Sequence, residues 1–429
     1  HKPVRSSTRS KIGLAVAGGG PIGGIFEVGA MRALDDAIEG LDMNALDVYV
    51  GISSGAYIAA SLANRLTTTE LCRIFVSNDS DQFKFKAEDF VRPAIWEYLR
   101  RLSGMPRLLL SGLAEFARHP FDLRVSDSLI KLGSILPTGL FDNEAIERFM
   151  RKAFTAHGRS NDFRELGRKL VIVAVELDSG QAIRFGTPGY DDVPISRAIE
   201  ASSALPGLYP PVLINGRYHV DGALRHTVHA SVAMEAGADL VLAINPLVPI
   251  DTATASALGK GSPSSLIEGG LPVVLSQMFR TLLQSRMQAS IPKYERKYSG
   301  SDLLLIEPEN DDTDMFFTNI FSFANRHDLA EHAYQSTLND LRRHRKVLGP
   351  LLQRHGLSLR DGVLDDPDRT LLAGLEQKPP RRSQATSQLH RALEDLDRAL
   401  EQEKPARKRR TPARRNTAPV RGKASSTNS

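Results

Sequence analysis

The chain has 429 residues, 41% of them apolar and 24% charged, with a formal net charge of +5, the composition of a soluble globular protein with room for one large domain or up to three small ones. No run of about 18 uninterrupted apolar residues occurs, so a spanning helix is not expected, and the lone cysteine, Cys72, excludes an internal disulfide and fits a reducing compartment. The charge is unevenly placed: nine Lys or Arg and no Asp or Glu lie in residues 404–429. The rest of the chain is therefore mildly acidic, and the cationic character concerns the partners of the tail and not the fold.

Residues 1–10 are polar and basic, read as a flexible arm, and contain no apolar h-region of a secretory signal. A strand candidate at 12–17 runs into Gly18-Gly19-Gly20-Pro21-Ile22-Gly23-Gly24. Ile25, Val28, Met31, Leu34 and Ile38 then recur at helical spacing and predict a helix over 24–39, with Glu27 early and Arg32 later. A second apolar run, Val48 to Val50, breaks at Gly51-Ile52-Ser53-Ser54-Gly55 into a helix over 56–64. Two successive strand, glycine loop and helix units indicate a parallel α/β sheet, whose loops lie at the carboxyl ends of the strands, where open α/β sheets place their sites.

Helical patterns interrupted by Pro93, Pro106 and Pro120 predict a helical insertion at 79–140. It reads equally as a cap over the site or as ordinary helices packed on the sheet. Further expected elements are a helix over 144–153, a buried strand over 169–176 with a hairpin partner at 181–185, and a helix over 195–203. A short strand over 216–220, a helix over 228–236, a buried strand over 240–244, a late strand over 303–306 and a long helix over 325–347 complete the domain, taken as residues 11–350. Residues 351–386 read as a linker. Leu389, Leu393, Leu396 and Leu400 place an amphipathic helix at 387–403, and 404–429 reads as a disordered basic tail.

Chemistry is suggested where a serine sits at a tight strand-to-helix turn. Flanking glycines tolerate unusual φ/ψ, so Ser53 can be held at a strained apex, beside a helix N-terminus that favours developing negative charge. Consecutive glycines at Gly18, Gly19 and Gly20 can turn successive N–H groups toward one point and serve as an oxyanion hole. Pro21 has no N–H, so the donors must come from the glycines before it or from Ser54. The best candidate for proton acceptor is Asp221, which follows Tyr218-His219-Val220 at the end of a strand and precedes Gly222; a plain Asp-Gly turn is the alternative.

The four segments Leu14-Ala15-Val16-Ala17-Gly18-Gly19-Gly20, Gly51-Ile52-Ser53-Ser54-Gly55, Ala198-Ile199-Glu200-Ala201-Ser202-Ser203-Ala204-Leu205-Pro206-Gly207 and Asp221-Gly222-Ala223, in this order, resemble the patatin-like phospholipase family. The resemblance covers about residues 11–246. It implies a three-layer α/β/α fold with a mainly parallel central sheet and a lipid acyl hydrolase with a Ser-Asp dyad. On matching positions it implies Ser53 as nucleophile, Asp221 as general base and Gly18, Gly19 and Gly20 as the oxyanion-hole region, with Ala201 to Pro206 packing a loop near the substrate. Gly51, Gly55, Gly222 and Ala223 complete the motifs. Two places depart from the family's pattern: Ile22 stands where an Arg or Lys is usual, and Arg225-His226-Thr227-Val228-His229 where an Asn and a Pro often follow.

No metal or cofactor is expected, since no zinc-ligand spacing is present. His119, His226, His229, His327 and His332 read as surface or structural residues, with His332 paired to Asp328 on one helix face. A dinucleotide-binding protein is a competing reading of Gly18-x-Gly20-x-x-Gly23, but an acidic residue is missing after the second strand, where Val50-Gly51 stands. A noncatalytic patatin-like binding protein is the other alternative. The expected partners are a lipid or other acyl ester and, through the tail, an anionic membrane surface; nucleic acid is not favoured, the oligomeric state is open, and a cytoplasmic or peripheral membrane location is expected.

Overall fold

The strands arise from the apolar runs of the sequence, and their alternate side chains fill two separate cores. A computed structural model describes residues 9–77, 138–156, 158–225, 228–251, 266–310, 312 and 323–373. The chain divides into two compact units, His1–Glu376 and Gln377–Ser429. The second unit, which includes the expected helix at 387–403 and the basic tail, lies outside the described residues, as does the expected insertion from 79 to 137.

In chain order, β1 (Ile12–Val16) leads into α1 (Gly20–Ala37) and the short β2 (Ile38–Glu39). Then come β3 (Val48–Gly51), α2 (Ser54–Ala63) and α3 (Thr68–Leu71), the last opened by a capping box in which Thr67 and Glu70 bond each other's backbone N–H. After α4 (Glu144–Phe154) follow β4 (Lys169–Glu176), β5 (Ala182–Phe185) and α5 (Ile195–Ser202). A hairpin of β6 (Val212–Ile214) and β7 (Arg217–Asp221) precedes α6 (Ala230–Glu235), β8 (Leu240–Ile244) and α7 (Gly270–Lys297). The domain closes with β9 (Asp302–Ile306), α8 (Phe323–Arg343), α9 (Arg345–Gln353), β10 (Ser358–Leu359) and α10 (Asp361–Leu364).

The main sheet has the order β6-β7-β4-β3-β1-β8-β9, with β5 also paired to β4. Strands β4, β3, β1, β8 and β9 are parallel. The other three are not: β5 and β7 run antiparallel to β4, and β6 antiparallel to β7. Leu14 and Val16 of β1, Ile172 of β4 and Leu242 of β8 face a core shared with α1, α2, α4, α5 and α8. Their neighbours Ala15, Val173 and Val241 face a second core with α6 and α7. This is a three-layer α/β/α arrangement, the form that a parallel sheet needs to bury both faces.

Several boundaries differ from the sequence expectation. Helix α1 starts at Gly20, four residues early, because Pro21 sits in the first turn, where its missing N–H has no helical partner to lose. The long helix expected over 325–347 is broken at His344, and the turn redirects the chain so that Leu348 and Leu352 of α9 reach the core. Residues 351–373 are not a linker. Leu357, Leu364 and Leu371 are buried, β10 pairs with β2, and the Leu371 N–H donates to Glu331 at 2.8 Å. Spaced seven residues apart across short, broken elements, these leucines mark no continuous helix or strand face, so only packing reveals them. Beneath them α1 and α8 cross closely: a Cβ on Gly29 would lie 2.3 Å from the Ala330 carbonyl oxygen. Asp36 of α1 ties the same region together, accepting from Tyr334 Oη at 2.7 Å and from the Arg32 and Arg369 guanidinium groups at 2.9 and 2.8 Å.

Candidate active site

The turn after β3 places Ser53 in a conformation that L-residues rarely adopt, φ 50° and ψ −123°. Two close approaches compel it. A Cβ on Gly51 would sit 2.6 Å from Ala56 Cα, and one on Gly55 2.4 Å from the carbonyl oxygens of Val16 and Ala17, so both positions exclude a side chain. The Ser53 N–H donates to Ser202 Oγ at 2.9 Å, and Ser202 Oγ donates to the Val173 carbonyl at 2.6 Å. Ser202, on α5, thus clamps the strained turn to the neighbouring strand β4. Ser202→Ala would leave a buried donor and a buried acceptor without this partner, so a stability loss of about 1–3 kcal/mol is expected in chemical denaturation. A loss of only a few tenths would mean that the clamp contributes little.

Asp221 reaches Ser53 by a route that differs from the sequence expectation. Strand β7 runs against the parallel strands, so its carboxyl end alone would not bring Asp221 to the rim that carries Ser53. Register does so instead: Gly51 pairs with Ile172 on one side of β4, and two residues further along, Ala174 pairs with Asp221 on the other. The Ser53 hydroxyl lies near enough to the Asp221 carboxyl to favour its ionised form. Asp221 Oδ1 accepts the Ala223 N–H at 2.8 Å, and the Asp221 N–H is held by the Ala204 carbonyl at 3.0 Å. A Cβ on Gly222 would lie 2.2 Å from the Val173 carbonyl oxygen, which explains the glycine at that position. Asp221 is 2% exposed. Burial pushes its carboxyl up to about 6, against the opposing effects of the Ala223 N–H and the Ser53 hydroxyl.

The glycine loop lies against the same serine. A Cβ on Gly18 would be 2.7 Å from Ser53 Cβ, and one on Gly19 would be 2.5 Å from the Pro246 ring, just beyond β8. Gly20 takes φ 61°. The Gly19 N–H does not face open space: it donates to Ser54 Oγ at 2.9 Å, and Ser54 Oγ donates to Glu27 Oε1 at 3.2 Å. Glu27 is fully buried in α1, and burial raises its carboxyl well above the ordinary range. Among the described residues the N–H groups of Gly18, Gly20 and Ser54 carry no hydrogen bond, and the last two open the N-termini of α1 and α2. Sequence reasoning assigned no site role to Glu27, and included Ser202 only within the Ala201 to Pro206 loop, without its clamp on the Ser53 turn. The one available signal for Glu27 was a lone carboxylate amid apolar helix positions.

Among the described residues no group of three or more His, Cys, Asp or Glu side chains could hold a metal ion, and no helix is long and apolar enough to cross a membrane. His119 and His226 lie outside the described residues. His332 does not pair with Asp328: its Nε2 lies 2.6 Å from Asp312 Oδ2, whereas Asp328 stands 3.6 Å from His327. Helical spacing had suggested the local partner, but the loop after β9 supplies a closer one. His229 is buried at the start of α6 with φ 48°.

A family model described as patatin-like phospholipase matches residues 14–234, more than half of the chain. The chain belongs to that family. The matched segment takes in the glycine loop, the Ser53 turn, the Ser202 clamp and the Asp221 turn of this patatin-like domain; Pro246, which packs on Gly19, lies beyond it. Ile22, where the family usually carries a cation, is partly buried against the core. Solved structures similar to this patatin-like chain include VipD from Legionella pneumophila, at 14% identity and TM-score 0.37, covering 79% of this chain and 67% of that one. The type III effector ExoU matches at 15% identity and TM-score 0.35, covering 92% and 64%. A complex of full-length SpcU and ExoU from Pseudomonas aeruginosa matches at 17% identity and TM-score 0.23, covering 67% and 53%. The chain thus spans about two thirds of the first two proteins and about half of the third.

Proposed function

We propose that the protein is a serine lipid acyl hydrolase, phospholipase A-like or a lipid esterase, that works through an acyl-enzyme. The observation that carries this reading is a serine on a strained strand-to-helix turn with a buried carboxyl of raised pKa beside its hydroxyl. In its ionised form Asp221 accepts the Ser53 proton as Oγ attacks the ester carbonyl carbon. The resulting oxyanion faces the free amides of Gly18, Gly20 and Ser54, which replace the set of three glycines expected from the sequence, because the Gly19 N–H is already engaged. Two helix N-termini add favourable partial charge there. Collapse expels the alcohol, which takes the proton back from Asp221. Water then attacks the acyl carbon, passes a proton to Asp221, and the departing Ser53 oxygen recovers it.

Rapid acid quenching of the protein with phospholipid micelles, followed by peptide mass spectrometry, tests this directly. One acyl group is expected on the peptide that contains Ser53, and an active-site fluorophosphonate probe should label the same residue. Hydrolysis with acylation or labelling at another residue would reject the assignment.

A further inference from the structure

The glycine loop beside Ser53 is built from three successive peptide groups, each fixed at one end. A planar trans peptide points its C=O and N–H in opposite directions, so holding either end sets the other. The Ala17 carbonyl accepts the Gly55 N–H at 3.2 Å, which sets the Gly18 N–H. The Gly19 carbonyl accepts the Gly23 N–H at 3.0 Å, which sets the Gly20 N–H. Both anchors join backbone to backbone and need no side chain. The middle peptide differs: the Gly19 N–H is held by Ser54 Oγ at 2.9 Å, and Ser54 Oγ in turn donates to Glu27 Oε1 at 3.2 Å. Gly18 and Gly19 have no Cβ to resist rotation of the peptide between them, so the side chains of Ser54 and Glu27 are what keeps it still.

Glu27 reaches Ser54 because α1 and α2 approach closely there: a Cβ on Gly24, one turn earlier in α1, would lie 3.4 Å from Ser54 Cβ. The carboxyl is fully buried, its Oε2 has no hydrogen-bond partner, and among the described residues Glu27 forms no ion pair. A buried carboxyl served on one oxygen alone is costly to the fold, and an apolar side chain of similar size would fill the position without that cost. The one contact that offsets it leads directly to the glycine loop.

We propose that Glu27 is a positioning residue for the reaction, acting through Ser54 to immobilise the Gly18–Gly19 peptide between the oxyanion donors of Gly18 and Gly20. A developing oxyanion interacts with the dipole of every nearby peptide, and dipoles already fixed need no reorganisation as the charge forms. Loss of Glu27 therefore acts on kcat and leaves KM nearly unchanged. This role rests on the hydrolase reading above, whereas the anchoring of the loop does not.

The test compares full-length wild type, Glu27→Gln, Glu27→Leu, Ser54→Ala and the double variant of Glu27→Leu with Ser54→Ala on p-nitrophenyl butyrate. In Glu27→Leu and Ser54→Ala, kcat is expected to fall about tenfold with KM within about twofold of wild type. The double variant should fall no further than either single one, because the two side chains act as one link. Glu27→Gln keeps a carbonyl oxygen for the Ser54 hydroxyl and should retain most of the wild-type kcat. Hydrogen exchange at the Gly19 amide, read by NMR on protein without ester, should quicken about tenfold in the same two single variants and not in Glu27→Gln. Additive losses in the double variant, or a loss of kcat that glutamine shares, would overturn the proposal. So would unchanged kcat and unchanged exchange in Glu27→Leu. If the leucine variant fails to fold, Ser54→Ala and Glu27→Gln carry the same comparison. Faster exchange at Gly19 in a protein that hydrolyses no ester would support the anchor and sink the hydrolase reading alone.

Discussion

Ser53→Ala protein is expected to hydrolyse phospholipid and p-nitrophenyl esters at least about 10⁴-fold more slowly in kcat than wild type, because removing the nucleophile of an acyl-enzyme mechanism leaves only the contribution of the oxyanion donors and of binding. Steady-state rates at saturating ester measure this, and equal rates would end the hydrolase assignment in favour of a noncatalytic patatin-like protein. The same position offers a second, independent reading. Its φ of 50° belongs to a region where a side chain costs of order 1–3 kcal/mol. Ser53→Gly should therefore lose the same activity yet gain about 1 kcal/mol of stability in chemical denaturation, since glycine adopts this conformation without the Cβ penalty. A glycine variant less stable than the alanine variant would show that the turn stores no strain.

Asp221 should govern the pH dependence of the reaction. Burial raises its carboxyl from 3.8 to about 6, and the base must be ionised, so kcat/KM for an uncharged ester is expected to rise through an acid limb near pH 6 and level off above about pH 7. Asp221→Asn should lower the plateau by about 10²–10⁴-fold and abolish that limb. Stability should move the other way. A carboxyl whose folded pKa is raised contributes stability that is fully present below its unfolded pKa, near 3.8, and lost as pH rises through the folded value, near 6. The difference amounts to about 3 kcal/mol for a shift of this size. The advantage of Asp221→Asn over wild type in unfolding free energy should thus grow by about that amount between pH 3.5 and pH 7.5. An acid limb that persists in the asparagine variant would assign the titration to another group.

Comparison of the expected and observed elements separates two kinds of information. The buried runs at Lys169–Glu176 and Leu240–Ile244 have the bounds expected from the sequence, and both glycine loops fall where strands end. Those features are local: apolar runs must be covered, and glycine marks places where a Cβ would collide, as at Gly51, Gly55 and Gly222. The site is a different matter. The end of a strand puts Asp221 on the rim of Ser53 only if that strand runs with its neighbours; β7 runs against them, and an offset in pairing with β4 brings the carboxyl near Ser53. The Ser202 clamp and the hydrogen bond from Ser54 to Glu27 leave no periodic mark, because a single buried hydroxyl or carboxyl becomes meaningful only through the group it meets.

By itself the amino-acid order determined the parallel α/β sheet of this protein and its glycine turns, since these follow from short-range sterics and the need to bury apolar residues, and it singled out Ser53 and Asp221 as candidates. Only the tertiary structure decided which amides remain free beside Ser53, that residues 351–373 close over α1 and α8, and that Ser54 links Gly19 to Glu27. Those outcomes depend on strand direction, register and helix approach, which join residues tens to hundreds of positions apart and so have no signature within any one stretch of chain.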